Sequence, residues 1–370
     1  MSLYNQLRQC AQDHSTWPDV CSLKELVKLR KTEEEAGLKQ PSMLLAGQYN
    51  LKSCEDCEEC LLYESTSTTV YKVKSPESIN ARSVICKSIY LPIDCCSLSE
   101  DKDLEVKKRT KSKLNKFCNE IMILKKLSKL KNEALIHGIS ILRNRNSDAV
   151  YINMVQKDAG LDLHQLLKHK NLKKFDTPFI ILIMEQLFDA LNFLHGHHCC
   201  HRDVKPENIC YSIYSKAITL IDFDLAIISN NKSATDIQNL HGAVGTAGFI
   251  PPEMFTDKNY NGMAGDIWSS AITLLELLMH KDLFENYILK TYAPNNMLDI
   301  DVFKSNVYKM LRNIKICISE EIYLAHDVQM LIRNMLKLNY KMRPNAIDLC
   351  HEFQEKVNYL FQDENIQSAE

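Results

Sequence analysis

His201-Arg202-Asp203-Val204-Lys205-Pro206-Glu207-Asn208 is followed, fourteen residues beyond its asparagine, by Asp222 in the run Ile221-Asp222-Phe223-Asp224. The residue types in these two segments suit the movement of a phosphoryl group. An aspartate can accept a hydroxyl proton, and a lysine two residues later can steady a migrating phosphate. An asparagine and a second aspartate are small oxygen ligands of the kind a hard divalent cation prefers. Such a transfer asks little covalent chemistry of the protein, so positioning and charge neutralisation must carry it. Either segment alone would mean little, and the weight lies in what surrounds them.

Upstream, Val84-Ile85-Cys86-Lys87 is a short β-type run ending in lysine, and Phe117-Cys118-Asn119-Glu120-Ile121-Met122-Ile123-Leu124 sets apolar residues at helical spacing around a glutamate. Downstream come Gly245-Thr246-Ala247-Gly248-Phe249-Ile250-Pro251-Pro252-Glu253, then Asp266-Ile267-Trp268-Ser269-Ser270, then Arg343-Pro344. In this order the segments resemble the eukaryotic-like protein kinase family, serine/threonine type. The resemblance implies an α+β, bilobal protein kinase fold, with a small β-rich N-lobe holding helix C and a larger, mainly helical C-lobe. It implies ATP and Mg²⁺ as cofactors and a protein hydroxyl as acceptor. Asp203 is then the base and Lys205 sits on the γ-phosphate. Lys87 contacts the α- and β-phosphates and is anchored by Glu120, while Asn208 and Asp222 hold the metal. It also implies that Glu253 pairs with Arg343, that His201 and Phe223 stack with Leu124, and that Arg202 receives an activation-segment phosphate. The usual site of that phosphate falls near Gly242, which cannot accept one. Ser229, Ser233 and Thr235 are the acceptors on offer, and Asp236 is a fixed anion in the same stretch.

Two departures from the family pattern bear on activity. The glycine-rich phosphate loop aligns with Tyr63, Ser65, Thr68 and Val70, so no glycine remains. Glycine there permits close backbone approach to phosphate, whereas Ser65 and Thr68 keep backbone N–H donors and add hydroxyls. Asp224 stands where the metal-binding triplet usually ends in glycine, which removes dihedral freedom and adds a carboxylate. These changes support an alternative, a pseudokinase scaffold that retains nucleotide or partner binding with little turnover. A kinase of small molecules fits less well, because the stretch Gly245 to Glu253 resembles a platform for an extended protein substrate. Glu207 and Asp162 are acids that could attract arginines near the phosphoacceptor.

Cys54-x-x-Cys57-x-x-Cys60 has a spacing that could hold zinc, with Cys10, His14 or Cys21 as a fourth ligand. Against that, Glu55, Asp56, Glu58 and Glu59 disfavour thiolates, and no second C-x-x-C pair exists. The chain carries fourteen cysteines and no apolar leader between Met1 and Val20, so reduced thiols and a cytoplasmic or nuclear location are expected. Cys199 and Cys200 read as small hydrophobes. A net charge of -2 gives no global attraction to nucleic acid or anionic membrane. The basic run Lys107 to Lys113 is the one local exception and reads best as a solvated face. Phe179 to Leu194 is apolar but interrupted by Glu185, Gln186 and Asp189, so a buried helix is expected there and not a membrane span.

Residues 1–45 form an extension, partly helical or disordered. Residues 46–360 form the kinase domain, divided near 155 and 156, and 361–370 is a polar tail. Strands are expected at Val70–Val73, Ser83–Cys86 and Ala149–Val155, with helix C at Lys113–Leu130 and an insertion loop from Ile89 to Lys113. Helices follow at Leu161–Leu167, Thr177–His195, Ala264–Met279, Val302–Asn313, Glu320–Leu338 and Asn345–Tyr359, with a strand at Ile218–Ile221. The expected partners are a protein substrate and a regulatory protein or upstream kinase.

Overall fold

The computed structural model describes residues 61–64, 68–74, 83–92, 100–131, 136–144, 149–169, 175–229, 235–279, 281–320 and 326–355. The extension 1–45, the cysteine trio, Ser65 and the tail lie outside them. The chain divides into two compact units, 1–158 and 159–370.

In the N-terminal unit, β1 (Leu61–Glu64), β2 (Thr68–Lys74), β3 (Ser83–Pro92), β4 (Ile136–Asn144) and β5 (Ala149–Lys157) form one antiparallel sheet in the order β1-β2-β3-β5-β4. β-Branched and aromatic residues are frequent in these runs, above all in β2, as a half-buried pleated surface favours. β3 pairs with β5 from Val84 opposite Lys157 to Pro92 opposite Ala149, and Lys87 lies between Val70 on one side and Met154 on the other. Residues directly opposite share a face of the sheet. Lys87 is therefore aligned with Val70 and, two residues along, with Thr68.

Between β3 and β4 runs α1 (Glu100–Lys131), 32 residues long, which spans about 48 Å at 1.5 Å per residue. Its buried stripe is Phe117, Ile121, Ile123, Leu124 and Leu127. The expected insertion loop is thus mostly strand and helix, since β3 continues to Pro92 and α1 begins at Glu100. Charge density there suits a helix and not a loop, because acids at Glu100, Asp101, Asp103 and Glu105 precede bases at Lys107, Lys108 and Arg109. That order matches the helix dipole and the favourable acid-before-base spacing of four residues.

The C-terminal unit opens with β6 (Leu161–Asp162) and α2 (Leu163–His169). A helix was expected from Leu161, but its first two residues pair instead with Tyr211 and Cys210 of β8 (Ile209–Ser212). α3 (Thr177–Gly196) is capped by Asp176, whose Oδ1 accepts from the Phe179 N–H at 3.1 Å. Ile180, Ile183, Met184, Leu187, Phe188, Leu191 and Leu194 bury one face. By length and composition α3 could cross a bilayer, yet this stripe is packed within the unit, with Phe188 edge-on to Phe353 at 5.6 Å.

β7 (Cys199–Cys200) leads into the loop at His201 and pairs with β10 (Ile227–Ile228), while β8 pairs with β9 (Ala217–Leu220). At the centre lies α4 (Gly262–Leu278), buried along nearly its whole length and capped by Asn261. α5 (Lys281–Tyr287), α6 (Ile300–Glu320), α7 (His326–Met335) and a helix over 346–355 complete the unit. α6 is longer than expected because its apolar spacing continues past Asn313 through Ile314, Cys317 and Ile318, all buried. α7 is described from His326 to Met335, and residues 321–325 of the expected helix lie outside the described residues.

Candidate active site

Two groups of polar side chains match the residues singled out from sequence, one in each unit. In the N-terminal unit Lys87 Nζ lies 2.8 Å from Glu120 Oε2. β3 supplies the lysine and α1 the glutamate, whose side chain is only 1% exposed. The ammonium compensates this buried carboxylate, and removing either partner of such a pair typically costs about 3–5 kcal/mol. Thr68 and Val70 sit on β2, with Val70 directly across from Lys87.

In the C-terminal unit the segment after β7 makes a strained turn. Arg202 has φ +66°, a left-handed conformation costing about 1–2 kcal/mol for a non-glycine residue. The fully buried carboxylate of Asp266 holds that turn. Its Oδ2 accepts from the His201 N–H at 2.8 Å and its Oδ1 from the Arg202 N–H at 2.7 Å. His195 Nε2 is 3.0 Å from the same carboxylate. Asp203 emerges from this braced turn with both oxygens engaged. Thr246 Oγ1 donates to Oδ1 at 2.8 Å and Asn208 Nδ2 donates to Oδ2 at 3.0 Å. Lys205 Nζ lies 3.0 Å from Oδ2 and donates to Thr246 Oγ1 at 2.7 Å.

Asp222 joins this group through the backbone. The Ile221 N–H donates to the Asn208 carbonyl at 3.0 Å, and His201 Nε2 lies 2.9 Å from the Ile221 carbonyl. Asp222 itself has φ +64°, so strain is stored at a second position of the same site. Asn208 donates both its N–H bonds to Asp203, one to the carbonyl at 2.8 Å and one to the carboxylate. Its amide oxygen is the edge left for another partner. An amide oxygen and a carboxylate on adjoining segments suit a hard divalent cation, so Asn208 and Asp222 fit the metal assigned to them.

Asp224 was expected to restrict the triplet. Its φ is not among the positive values, which fall at His198, Arg202, Lys216 and Asp222. An aspartate therefore takes this backbone without strain, and glycine is not required. Phe223 is buried and its ring meets His201 at 4.8 Å, as the resemblance implied.

Beyond Thr246 the chain is fixed by α4 and its neighbours. Ser269 Oγ donates to the Phe249 carbonyl at 2.9 Å, Tyr292 Oη donates to the Ile250 carbonyl at 2.7 Å, and Phe249 packs on Phe284. Glu253 makes the expected pair with Arg343. Arg343 Nη2 lies 2.7 Å from Glu253 Oε2, Nη1 also donates to the Ala264 carbonyl and Nε to that of Lys337, and the guanidinium stacks over Trp268 at 4.9 Å.

Some roles were not legible in the sequence. In sequence Asp266 is one residue of an expected helix, yet it braces the catalytic turn; the signal is an acid before Ile267-Trp268 in a run too apolar to leave it unpartnered. Arg202 directs Nε to the Leu225 carbonyl at 2.7 Å and Nη1 to the Tyr260 hydroxyl at 3.3 Å. Ser229, a candidate phosphoacceptor, is buried, which makes it a poor one; the side chains of Ser233, Thr235 and Asp236 lie outside the description. Asp162 caps α2 by accepting from the Gln165 N–H at 2.7 Å. Burial raises its carboxyl above the usual range and the charge of Glu207 adds to that rise. Burial, with Glu207 again contributing, pushes the Glu276 carboxyl up to about 7. Burial holds the thiols of Cys86 and Cys118 up at about 12 and about 11, so neither is a ready thiolate.

Residues 100–353 match the family "Protein kinase domain", and the chain belongs to that family. The match begins at Glu100, after β3 and Lys87. The chain is 37% identical over 153 residues to CBL-interacting protein kinase 9 of Oryza sativa subsp. japonica, covering 41% of this chain and 31% of that one. It is 29% identical over 223 residues to the serine/threonine-protein kinase ksp1 of Schizosaccharomyces pombe, covering 55% and 44%. With serine/threonine-protein kinase 1 of Heliothis zea nuclear polyhedrosis virus the identity is 29% over 198 residues, covering 53% and 65%. The chain thus spans less than two thirds of the length of each of these relatives.

Proposed function

We propose that this protein transfers the γ-phosphoryl group of ATP to serine or threonine hydroxyls of other proteins, with Mg²⁺. The observation that carries the reading is the closed set of Asp203, Lys205, Asn208 and Thr246 on one braced turn. These four side chains are each held at hydrogen-bonding distance from another of the set. Asp203 takes the proton of the acceptor hydroxyl, whose oxygen bonds to the γ-phosphorus as the bond to the bridging oxygen breaks and ADP leaves. Lys205 offsets charge on the migrating group, and Lys87, oriented by Glu120, pairs with the α- and β-phosphates. A divalent cation bound by Asn208 and Asp222 would neutralise phosphate charge. Thr246 ties base and lysine together, so neither needs to reorganise as charge develops.

The preferred protein substrate carries basic residues near the acceptor. The exposed Glu207 supports this, with Asp162 as a second acid near enough to feel its charge. The proposed setting is the cytoplasm or nucleus, with control by a regulatory protein or upstream kinase; the expectation of reduced thiols supports the location. The competing reading, a nucleotide-binding scaffold with little turnover, draws support from the glycine-free phosphate loop. Transfer from labelled ATP to a mixed protein substrate, beside an Asp203→Asn control, separates the two. Label that disappears in the control supports the enzyme. An ATP-dependent thermal shift without transfer supports the scaffold.

A further inference from the structure

We propose that the segment between Asp224 and Thr246 is held in its working form by an apolar latch, Ile237 and Leu240, and that transfer needs no phosphate on it. The inference rests on the proposed kinase activity and concerns its control, favouring a regulatory protein over an upstream kinase that acts on this segment. The resemblance assigns Arg202 to an activation-segment phosphate, and such a phosphate orders a loop by bonding to an arginine. Here its usual place falls near Gly242, whose φ is +74°. A serine or threonine would be strained there, so the backbone as well as the residue closes that position to a phosphoacceptor.

Three anchors take the place of the phosphate. At the start of the segment β10 pairs with β7, Ile227 opposite Cys200, and the Ser229 N–H donates to the His198 carbonyl at 2.9 Å. At its end Thr246 is bonded to Asp203 and Lys205. Between these, the single-turn helix Thr235–Gln238 brings in Ile237, 0% exposed, and Leu240 follows it, 8% exposed. Both belong to one apolar cluster with Cys200, Ile250, Met254 and Tyr260.

The seat for Leu240 is built into the chain behind it. A Cβ on Gly262, the first residue of α4, would come within 2.9 Å of Leu240 Cδ1 and 2.5 Å of Cys200 Sγ, so the glycine leaves the room that both occupy. Leu240 and Tyr260 exchange backbone hydrogen bonds, each N–H donating to the other's carbonyl at 3.0 Å. The Tyr260 hydroxyl in turn accepts from Arg202 Nη1 at 3.3 Å, while Arg202 Nε donates to the Leu225 carbonyl at 2.7 Å. Arg202 is thereby tied to the middle of the segment through Tyr260, the link that a phosphate would otherwise make. Apolar burial and backbone hydrogen bonds are in place as soon as the chain folds, whereas a phosphate waits on a further reaction.

The test compares phosphatase-treated protein, shown phosphate-free by intact mass, with the same protein after incubation with Mg²⁺ and ATP. Initial rates on a mixed protein substrate should agree within about twofold and show no lag, because a phosphate with no equilibrium left to shift changes nothing. The double variant Ser233→Ala, Thr235→Ala should match wild type. Amide hydrogen exchange over residues 235–246 of the phosphate-free protein should be slowed at least about tenfold relative to an unstructured peptide of that sequence. Leu240→Ala, and separately Gly262→Ala, should lose this protection and lower kcat/KM at least about tenfold, while the amides of α3 stay protected and show the unit to be folded. A phosphate-free protein at least about tenfold slower, whose rate recovers as phosphate appears on Ser229, Ser233 or Thr235, overturns the proposal. So does a segment that exchanges freely until it is phosphorylated. Transfer absent from both forms would overturn the kinase activity and the control proposed for it, whereas the exchange data judge the latch by themselves.

Discussion

Glu276→Gln should stabilise the protein at neutral and alkaline pH and leave it unchanged in acid. The Glu276 carboxyl sits on α4 with Oε2 buried and without a hydrogen-bond partner, and burial first, then the charge of Glu207, raises it from 4.5 to about 7. Unfolded, the same group titrates near its ordinary value. Below about pH 4.5 it is protonated in both states and has no effect on stability. Between about 4.5 and 7 the folded protein holds a proton that the unfolded chain has released, so stability falls as pH rises. Above 7 the folded carboxyl is also ionised and the loss is complete. At 1.36 kcal/mol per pH unit the full effect is about 3 kcal/mol, and partial exposure of the residue brings the expectation down to about 2 kcal/mol. Urea unfolding of wild type and variant at pH 5, 6, 7 and 8 reads the difference directly. The two should differ by only about 0.5 kcal/mol at pH 5 and diverge to about 2 kcal/mol at pH 8, with the variant more stable. Parallel curves, separated by a constant amount at every pH, would refute the reasoning, because a lost contact with no titration behind it gives a constant offset.

Lys87→Met should reduce phosphoryl transfer at least about 100-fold and also destabilise the fold by about 3 kcal/mol, since Glu120 is left buried without its cation. Adding Glu120→Gln should recover most of that stability and none of the turnover, which separates the chemical role from the structural one. Asp266→Asn should cost about 2–3 kcal/mol in denaturant unfolding, because an amide presents one acceptor oxygen where two backbone N–H groups need one each; kcat should fall with little change in KM. Asp224→Gly should alter turnover less than about threefold, as the aspartate is unstrained where it stands; a tenfold rise in steady-state rate would make it a brake.

The catalytic turn was legible in sequence because its residue types are few and their order is fixed by the reaction. Asp203, Lys205 and Asn208 lie within six residues, and a reading of their chemistry needs no knowledge of the sheet behind them. The Lys87–Glu120 pair was legible for a different reason. A lysine and a glutamate 33 residues apart need not meet, and only their place in the family's order of motifs pairs them; the cost of burying either charge alone is consistent with that pairing. What the sequence hid was support. Asp266 acts 63 residues from Asp203, on a different element, and reaches the site through backbone N–H groups that carry no side-chain signature. The start of α1 is hard to read in sequence because a dense run of charges suggests a solvated loop, and only the order of their signs favours a helix.

The two departures from the family pattern differ in physical weight. Asp224 is explained by its backbone, which never needed glycine. The glycine-free loop is not cancelled in the same way, and the family match that starts only at Glu100 points to the same part of the chain. Phosphate cover, however, is made largely by backbone N–H groups, which every residue but proline supplies. Base, lysine and metal ligands are side chains with no such substitute. A chain drifting under selection for transfer would therefore change Ser65 and Thr68 freely and hold Asp203, Lys205, Asn208, Asp222 and the Lys87–Glu120 pair. A chain released from that selection would lose the second set as readily as the first. All six of those residues are present here, five of them in side-chain polar contacts and Asp222 held beside Asn208 by the Ile221 backbone. That asymmetry favours an enzyme with a looser grip on nucleotide over a scaffold. It predicts a raised KM for ATP with kcat largely kept; the opposite pattern, tight ATP binding without turnover, would favour the scaffold.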